Sequence, residues 1–438
     1  MKNLNLKALN IAISLILITS ISQSHAQTAK VAVNSEAQNI QQLRQEVQEL
    51  KELLQQLKQS NANVTTAVIN PVALTSASEV MVNAPVAKVQ PNSVISLGKT
   101  ELTVYGNIRL DASYQAEGGS ASRLYNQINT VPLEGHKESS DEFKSTLSGT
   151  RIGLDLKSSV LDQTVSGKLE MDFFGGANLD NLRIRHAYLN YNQWLIGQTW
   201  SNFASPDYMP ETIDALGYVG GAVKRIPQVR YHYNIQPGSQ LVLAAEDPKD
   251  GSIQARLPAL TARFNQKIGN DLNMSLRTMA HEKRIENDKE WAWGVGLGMK
   301  YDFTPQTSIK ADYYHVKGDS SFVSWTNSGI VKQGGELVAL SEFDSITVGL
   351  TQKINDKTRA TLGYGYMKFK EDQAYIVASP QANKELWQAW ANVFYSPVKP
   401  ISFGLEYVYG EREVFKAFDD GTKKGEDNRV SLLAQYNF

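Results

Sequence analysis

The chain has 438 residues and a formal charge of −1 at pH 7, so it carries no excess of positive charge with which to hold nucleic acid. It contains no cysteine, which excludes disulfides and thiolate metal sites, and its six histidines are scattered without an HExxH-like spacing. A mean hydropathy of −0.34 argues against a bundle of membrane helices. No cofactor and no metal is expected.

At the N-terminus, Lys2 and Lys7 form a positive region ahead of an apolar run from Ile11 to Ile18, and Ser24 and Ala26 supply small residues for cleavage after Ala26. Residues 1–26 read as a secretory signal peptide. The apolar run is too short for a membrane helix of ~20 residues. Residues 27–60 carry a heptad seam, with Ile40, Val47 and Leu54 at a and Leu43, Leu50 and Leu57 at d. So short an α-helical coiled coil is marginal alone, so it implies chains already held together elsewhere. The competing reading is a single amphipathic helix packed on the rest of the protein. Residues 61–100 are interrupted by Pro71, Pro85 and Pro91 and read as an extended periplasmic linker.

From residue 101 the period becomes two. In ELTVYGNIRLDASY, Leu102, Val104, Ile108 and Leu110 alternate with Thr103, Asn107, Arg109 and Asp111, and the pattern returns in PQVRYHYNI, EWAWGVGLGMKYDF and ISFGLEYVY. Sixteen such strands are expected near 102–115, 146–157, 163–174, 182–192, 194–200, 226–236, 240–247, 258–268, 271–283, 290–303, 306–317, 341–354, 357–370, 384–396, 398–410 and 427–438. Many run 9–14 residues, long enough to cross a bilayer when tilted and longer than the ~5–6 of soluble strands. Aromatics near strand ends, and short turns alternating with longer polar segments such as 116–145 and 318–340, fit an outer-membrane barrel. The fold class is therefore an all-β transmembrane barrel of sixteen antiparallel strands over 101–438. Closure accounts for the ending RVSLLAQYNF, whose last strand must pair with the first.

A lumen of this width cannot be filled by strand side chains. The segment 200–227 follows the fifth strand, lacks alternation, and is expected to fold inward and narrow the pore, with a short helix over Glu211–Leu216; an ordinary surface loop is the alternative. It carries Asp207, Glu211 and Asp214. Basic residues recur on polar strand faces: Arg109, Arg151, Lys168, Arg183, Arg185, Arg230, Arg263, Arg277, Lys310 and Arg359, with Arg225 just after the loop. Facing water, they would attract small anions, arginine being permanently charged and suited to carboxylates. The alternative is that they brace Asp111, Asp155, Glu170 and Asp172 as structural pairs. Arg183, Arg185 and Arg230 are expected to face the lumen opposite the three acids of the loop, setting up a transverse field. No histidine has a serine partner in adjacent strand positions, so an enzyme is not expected.

The heptad segment, LRIRHAYLNY (182–191), WLIGQTWSNF (194–203), RIPQVRYHYN (225–234) and the terminal QYNF together resemble the DcaP-like porins of Gram-negative outer membranes. That resemblance implies a homotrimer of sixteen-stranded barrels in outer-membrane lipid, with a periplasmic N-terminal extension. It implies passive uptake of small anionic solutes such as dicarboxylates, with Arg183, Arg185, Arg225 and Arg230 along the path. The acids on the inward loop depart from a purely basic pore. A phosphate-type anion porin, which would want a denser basic ladder, and a structural tether whose coiled coil matters more than its pore stand as alternatives.

Overall fold

The computed structural model describes Gln48 and residues 94–438, apart from 98, 120–123, 136–139, 161–162 and 177–179. The expected signal peptide lies outside these residues, as do the coiled coil (Gln48 excepted) and most of the linker.

Sixteen barrel strands follow one another around the wall. They are β1 (Thr100–Glu117), β2 (in two pieces, Glu142–Thr146 and Arg151–Val160), β3 (Gln163–Gly175), β4 (Asn181–Tyr191), β5 (Trp194–Trp200), β6 (Arg225–Gln236), β7 (Ser239–Glu246) and β8 (Ala259–Ile268). Then come β9 (Leu272–Arg284), β10 (Lys289–Asp302), β11 (Thr307–Lys317), β12 (Glu342–Asn355), β13 (Thr358–Phe369), β14 (Asn383–Tyr395), β15 (Ile401–Val414) and β16 (Lys424–Asn437). Each pairs antiparallel with its neighbour in sequence. β16 pairs with β1 from Asn107↔Asn437 to Glu117↔Asn428, which closes the ring. The number of strands matches the alternation, and most boundaries fall within three residues. β15 starts three residues later than expected, at Ile401, because Pro397 and Pro400 ahead of it have no N–H to give a ladder.

Closure continues to the last residue. Phe438 N donates to Gly106 O at 3.0 Å and Gly106 N to Phe438 O at 2.9 Å. Gly106 is required there, because a Cβ would stand 2.3 Å from Arg151 O and 2.7 Å from the Phe438 ring.

The barrel is inside-out relative to a soluble sheet protein. Outward side chains such as Ile108, Leu182, Ile184, Leu350 and Leu362 are exposed, as lipid contact requires. β10 shows both interfacial belts on one strand, with Trp291 and Trp293 toward the long-loop end and Tyr301 and Phe303 toward the short-turn end.

The lumen is partly filled. The β5–β6 loop, residues 201–224, folds inward, and Phe203, Ala204 and Val219 on it are fully buried. Parts of two segments expected as outer loops join it: Ile128 and Val131 from the β1–β2 connection, and Phe322 and Val323 from the β11–β12 connection. They pack on lumen-facing Tyr314, Phe343, Met367, Phe369 and Leu386, with Phe203 edge-to-face against Tyr314 (5.3 Å) and Phe322 (5.8 Å). Apolar residues on the inner face have no water-compatible role, so the loops supply their partners.

Candidate functional site

The basic wall is built on β1 to β4. A β-bulge shapes it: Met171 pairs with Ile184 and Glu170 with His186, which leaves Arg185 as the extra residue. Arg183, Arg185 and His186 therefore all sit on the inner side of β4. Arg183 forks onto Asp172 (2.9 and 2.7 Å), while Arg185 bridges Glu170 (2.5 Å) and Asp172 (2.8 Å). Arg109 binds Asp111 at 2.6 Å and donates to Ile213 O of the inward loop at 2.5 Å.

The loop is clamped to the barrel at many points. Glu406 of β15 accepts from Ile213 N (3.0 Å), Thr212 Oγ1 (2.9 Å) and Tyr218 Oη (2.7 Å). Asp214 accepts from Asn126 N at 2.7 Å and pairs with Arg429 at 3.0 Å. Glu211 pairs with Arg359 at 2.7 Å and Asp207 with Arg263 at 2.5 Å. The helix expected over Glu211–Leu216 does not form; a 3₁₀ turn at Pro206–Tyr208 is the regular element of the loop. The reason is local. The N–H groups of Ile213, Asp214 and Leu216 are taken by the side chains of Glu406, Thr212 and Asp214, which compete with helical bonding. Burial pushes the Asp214 carboxyl up to about 6, against the opposing charge of Arg429. Burial likewise lowers the Lys224 ammonium. At Asp207 burial works upward, but Arg263 outweighs it and holds the carboxyl below its ordinary range.

Between wall and loop lies a cavity of about 630 Å³ lined by Arg109, Arg151, Arg183, Arg185, Arg225 and Lys224, by Pro206, Met209–Thr212 and Asp214–Gly217 of the loop, and by Ser320–Thr326. Five of the eleven basic residues proposed from sequence thus meet at one place, with Glu211 and Asp214. Lys168 instead binds Asp155 at 2.6 Å beside a smaller cavity. Arg230 donates to Trp200 O (2.5 Å) and Gln228 Oε1 (2.8 Å), and neither it nor Arg263 and Asp207 line the large cavity. The acids of the loop do not form a free wall, since each holds its own arginine.

Two of the lining arginines differ from the rest. The guanidinium groups of Arg151 and Arg225 have no ion pair or hydrogen bond among the described residues, and Arg225 is held by stacking on Trp200 at 4.1 Å. Sequence reasoning missed Glu406, Lys224 and Trp200. The signal for Glu406 is one carboxylate on the inner phase of ISFGLEYVY, with no cation beside it in the strand.

A closed sixteen-stranded barrel with an inward loop and a water-accessible basic cavity is the architecture of an outer-membrane porin. More particularly, the chain belongs to the DcaP outer membrane protein family, whose model matches residues 19–438. The outer membrane channel DcaP of Acinetobacter baumannii is 37% identical, with a TM-score of 0.71 over 77% of this chain and 97% of that one. An anion-selective porin from Comamonas acidovorans (12% identity, TM-score 0.51, 77% of this chain and 100% of that one) shares the fold. So does Salmonella typhi OmpF (15% identity, TM-score 0.52, 79% and 100%). No curated protein sequence matches the chain. Family and fold place it in the outer membrane of a Gram-negative envelope, as a channel.

Proposed function

We propose that this porin conducts small anions, dicarboxylates among them, by passive diffusion past the basic cavity. The observation that carries this is the pair of unpartnered guanidinium groups, Arg151 and Arg225, in a cavity whose other arginines are already neutralised. Acceptor-rich solutes would satisfy them. The gradient drives the flux, so no energy source is needed. The test is single-channel recording in a salt gradient: the wild type is expected to favour chloride over potassium, and Arg151→Gln with Arg225→Gln to bring the reversal potential toward zero. An unchanged potential would remove these residues from the path.

The same reading includes a homotrimer, with residues 27–60 forming a periplasmic coiled coil. Barrel-to-barrel contacts would carry most of the buried surface. Deleting 27–60 is therefore expected to preserve both trimer and conductance, and a monomeric deletion variant on mild gel electrophoresis would reverse that ordering.

A further inference from the structure

The Glu211–Arg359 pair differs from the deep anchors of the loop. Its fork is bidentate, at 2.7 and 2.8 Å, but the side chains are 33% and 34% exposed. Arg429 and Asp214, by contrast, are buried, only 2% and 1% exposed. Each partner of the exposed pair is held independently of the other. Arg359 stacks on Phe394, 4.4 Å from the ring centroid. The Glu211 backbone carbonyl accepts from Trp390 Nε1 (3.1 Å) and Asn392 Nδ2 (2.8 Å). Pro210 sits tightly over Gly349, where a Cβ would come within 2.4 Å of it. The Glu211 carboxylate can therefore swing away while its backbone and Arg359 stay in place. The two ends also face different spaces. Glu211 lines the arginine-rich cavity. Arg359 lines a second cavity of about 470 Å³ at the short-turn end, with Lys353 and Lys357.

Resting on the anion-channel reading above, we infer that Arg359 is a second anion station and that Glu211 is its resident carboxylate, exchanged for a carboxylate of the passing solute. The physical basis is chemical equivalence. A guanidinium fork binds a solute carboxylate as it binds Glu211, and a pair one-third exposed is weak enough to be displaced. A dianion leaving the arginine-rich cavity would put one carboxylate on Arg359, and Glu211 would turn toward the cations the solute has left. The solute then moves on toward Lys353 and Lys357. Binding that is favourable at each station but easily exchanged is what conduction needs.

The test uses full-length protein in planar bilayers, with chloride reversal potentials and the concentration of disodium succinate that half-saturates the current. Glu211→Gln removes the competing charge and keeps the side-chain volume. It should lower the half-saturating concentration by about two- to fivefold, the range set by a partly exposed pair. In an Arg359→Gln background the same change should have no effect. If Glu211→Gln fails to assemble, Glu211→Asp carries the test, its shorter carboxylate giving a smaller shift in the same direction. A wild type that is not anion-selective overturns the proposed function and this inference with it. An anion-selective wild type whose half-saturation Glu211→Gln leaves unchanged overturns this inference alone. So does an effect that persists without Arg359, which would be a general field of the removed charge.

Discussion

Arg185 and Arg151 line the same cavity with the same functional group, yet their substitutions should differ in what they cost the fold. Arg185 is nearly buried and serves Glu170 and Asp172, the latter fully enclosed. Arg185→Gln leaves these carboxylates short of a partner, at a cost of about 3 kcal/mol; the barrel should unfold at lower urea and the pore should move toward cations. Arg151→Gln breaks no pair, so stability should hold while anion preference falls. Asp214 adds a dependence on pH. Its carboxyl is raised to about 6 by burial, facing Arg429 as well as Glu406 and Tyr218. Below that pH it is neutral and the cavity gains one net positive charge. Anion permeability should therefore rise as pH falls from 7.5 to 5, and Asp214→Asn should remove the step. For stability the sign is also set: a raised carboxyl favours folding at low pH, and the contribution is lost as pH climbs from the ordinary aspartate range through about 6. A titration showing anion preference falling on acidification would contradict the assignment.

The inward loop depends on Glu406 more than on its own sequence. One buried carboxylate takes a backbone N–H, two hydroxyls and, at 2.9 Å, the Asn392 amide. Glu406→Gln puts an NH₂ group where those donors converge, so a loss of about 1–3 kcal/mol is expected. Because the loop narrows the lumen, the variant should also show larger and noisier single-channel conductance. An unchanged open-channel current would mean that the loop is held elsewhere. The strands were legible because a one-residue shift turns every side chain to the wrong face, so alternation carries the register. Two features were not legible. The bulge at Arg185 leaves the run LRIRHAYLNY looking regular, since two polar neighbours are tolerated on a water-filled side. The pairing of Glu211 with Arg359 and of Asp207 with Arg263 joins residues far apart in sequence, and the alternation says only which face each occupies. The filling of the lumen does leave a signal in the sequence: Phe343, Met367, Phe369 and Leu386 stand on the inner phase of their strands, where a water-filled pore has no use for them.

A closed barrel has one seam that sequence neighbours do not make, and here β16 must find β1 across more than three hundred residues. The seam is a ladder from Asn107↔Asn437 to Glu117↔Asn428, finished by the two hydrogen bonds between Gly106 and Phe438. In lipid, an open edge would leave unpaired N–H and C=O groups at several kcal/mol each, so partial closure is unstable and the seam should decide whether the barrel persists. At the Phe438 end Gly106 is its tightest point: a methyl group there meets the Arg151 carbonyl and the Phe438 ring at once. Gly106→Ala should therefore lower the fraction of barrel that migrates as the compact, heat-modifiable form and reduce its yield in the outer membrane. Gly167→Ala, on β3, is the control, because a Cβ there comes no nearer than 3.5 Å to any neighbour. It should fold like the wild type. Equal heat-modifiable fractions for the two variants would show that closure does not depend on how closely Phe438 packs over Gly106, and that the ladder above it suffices.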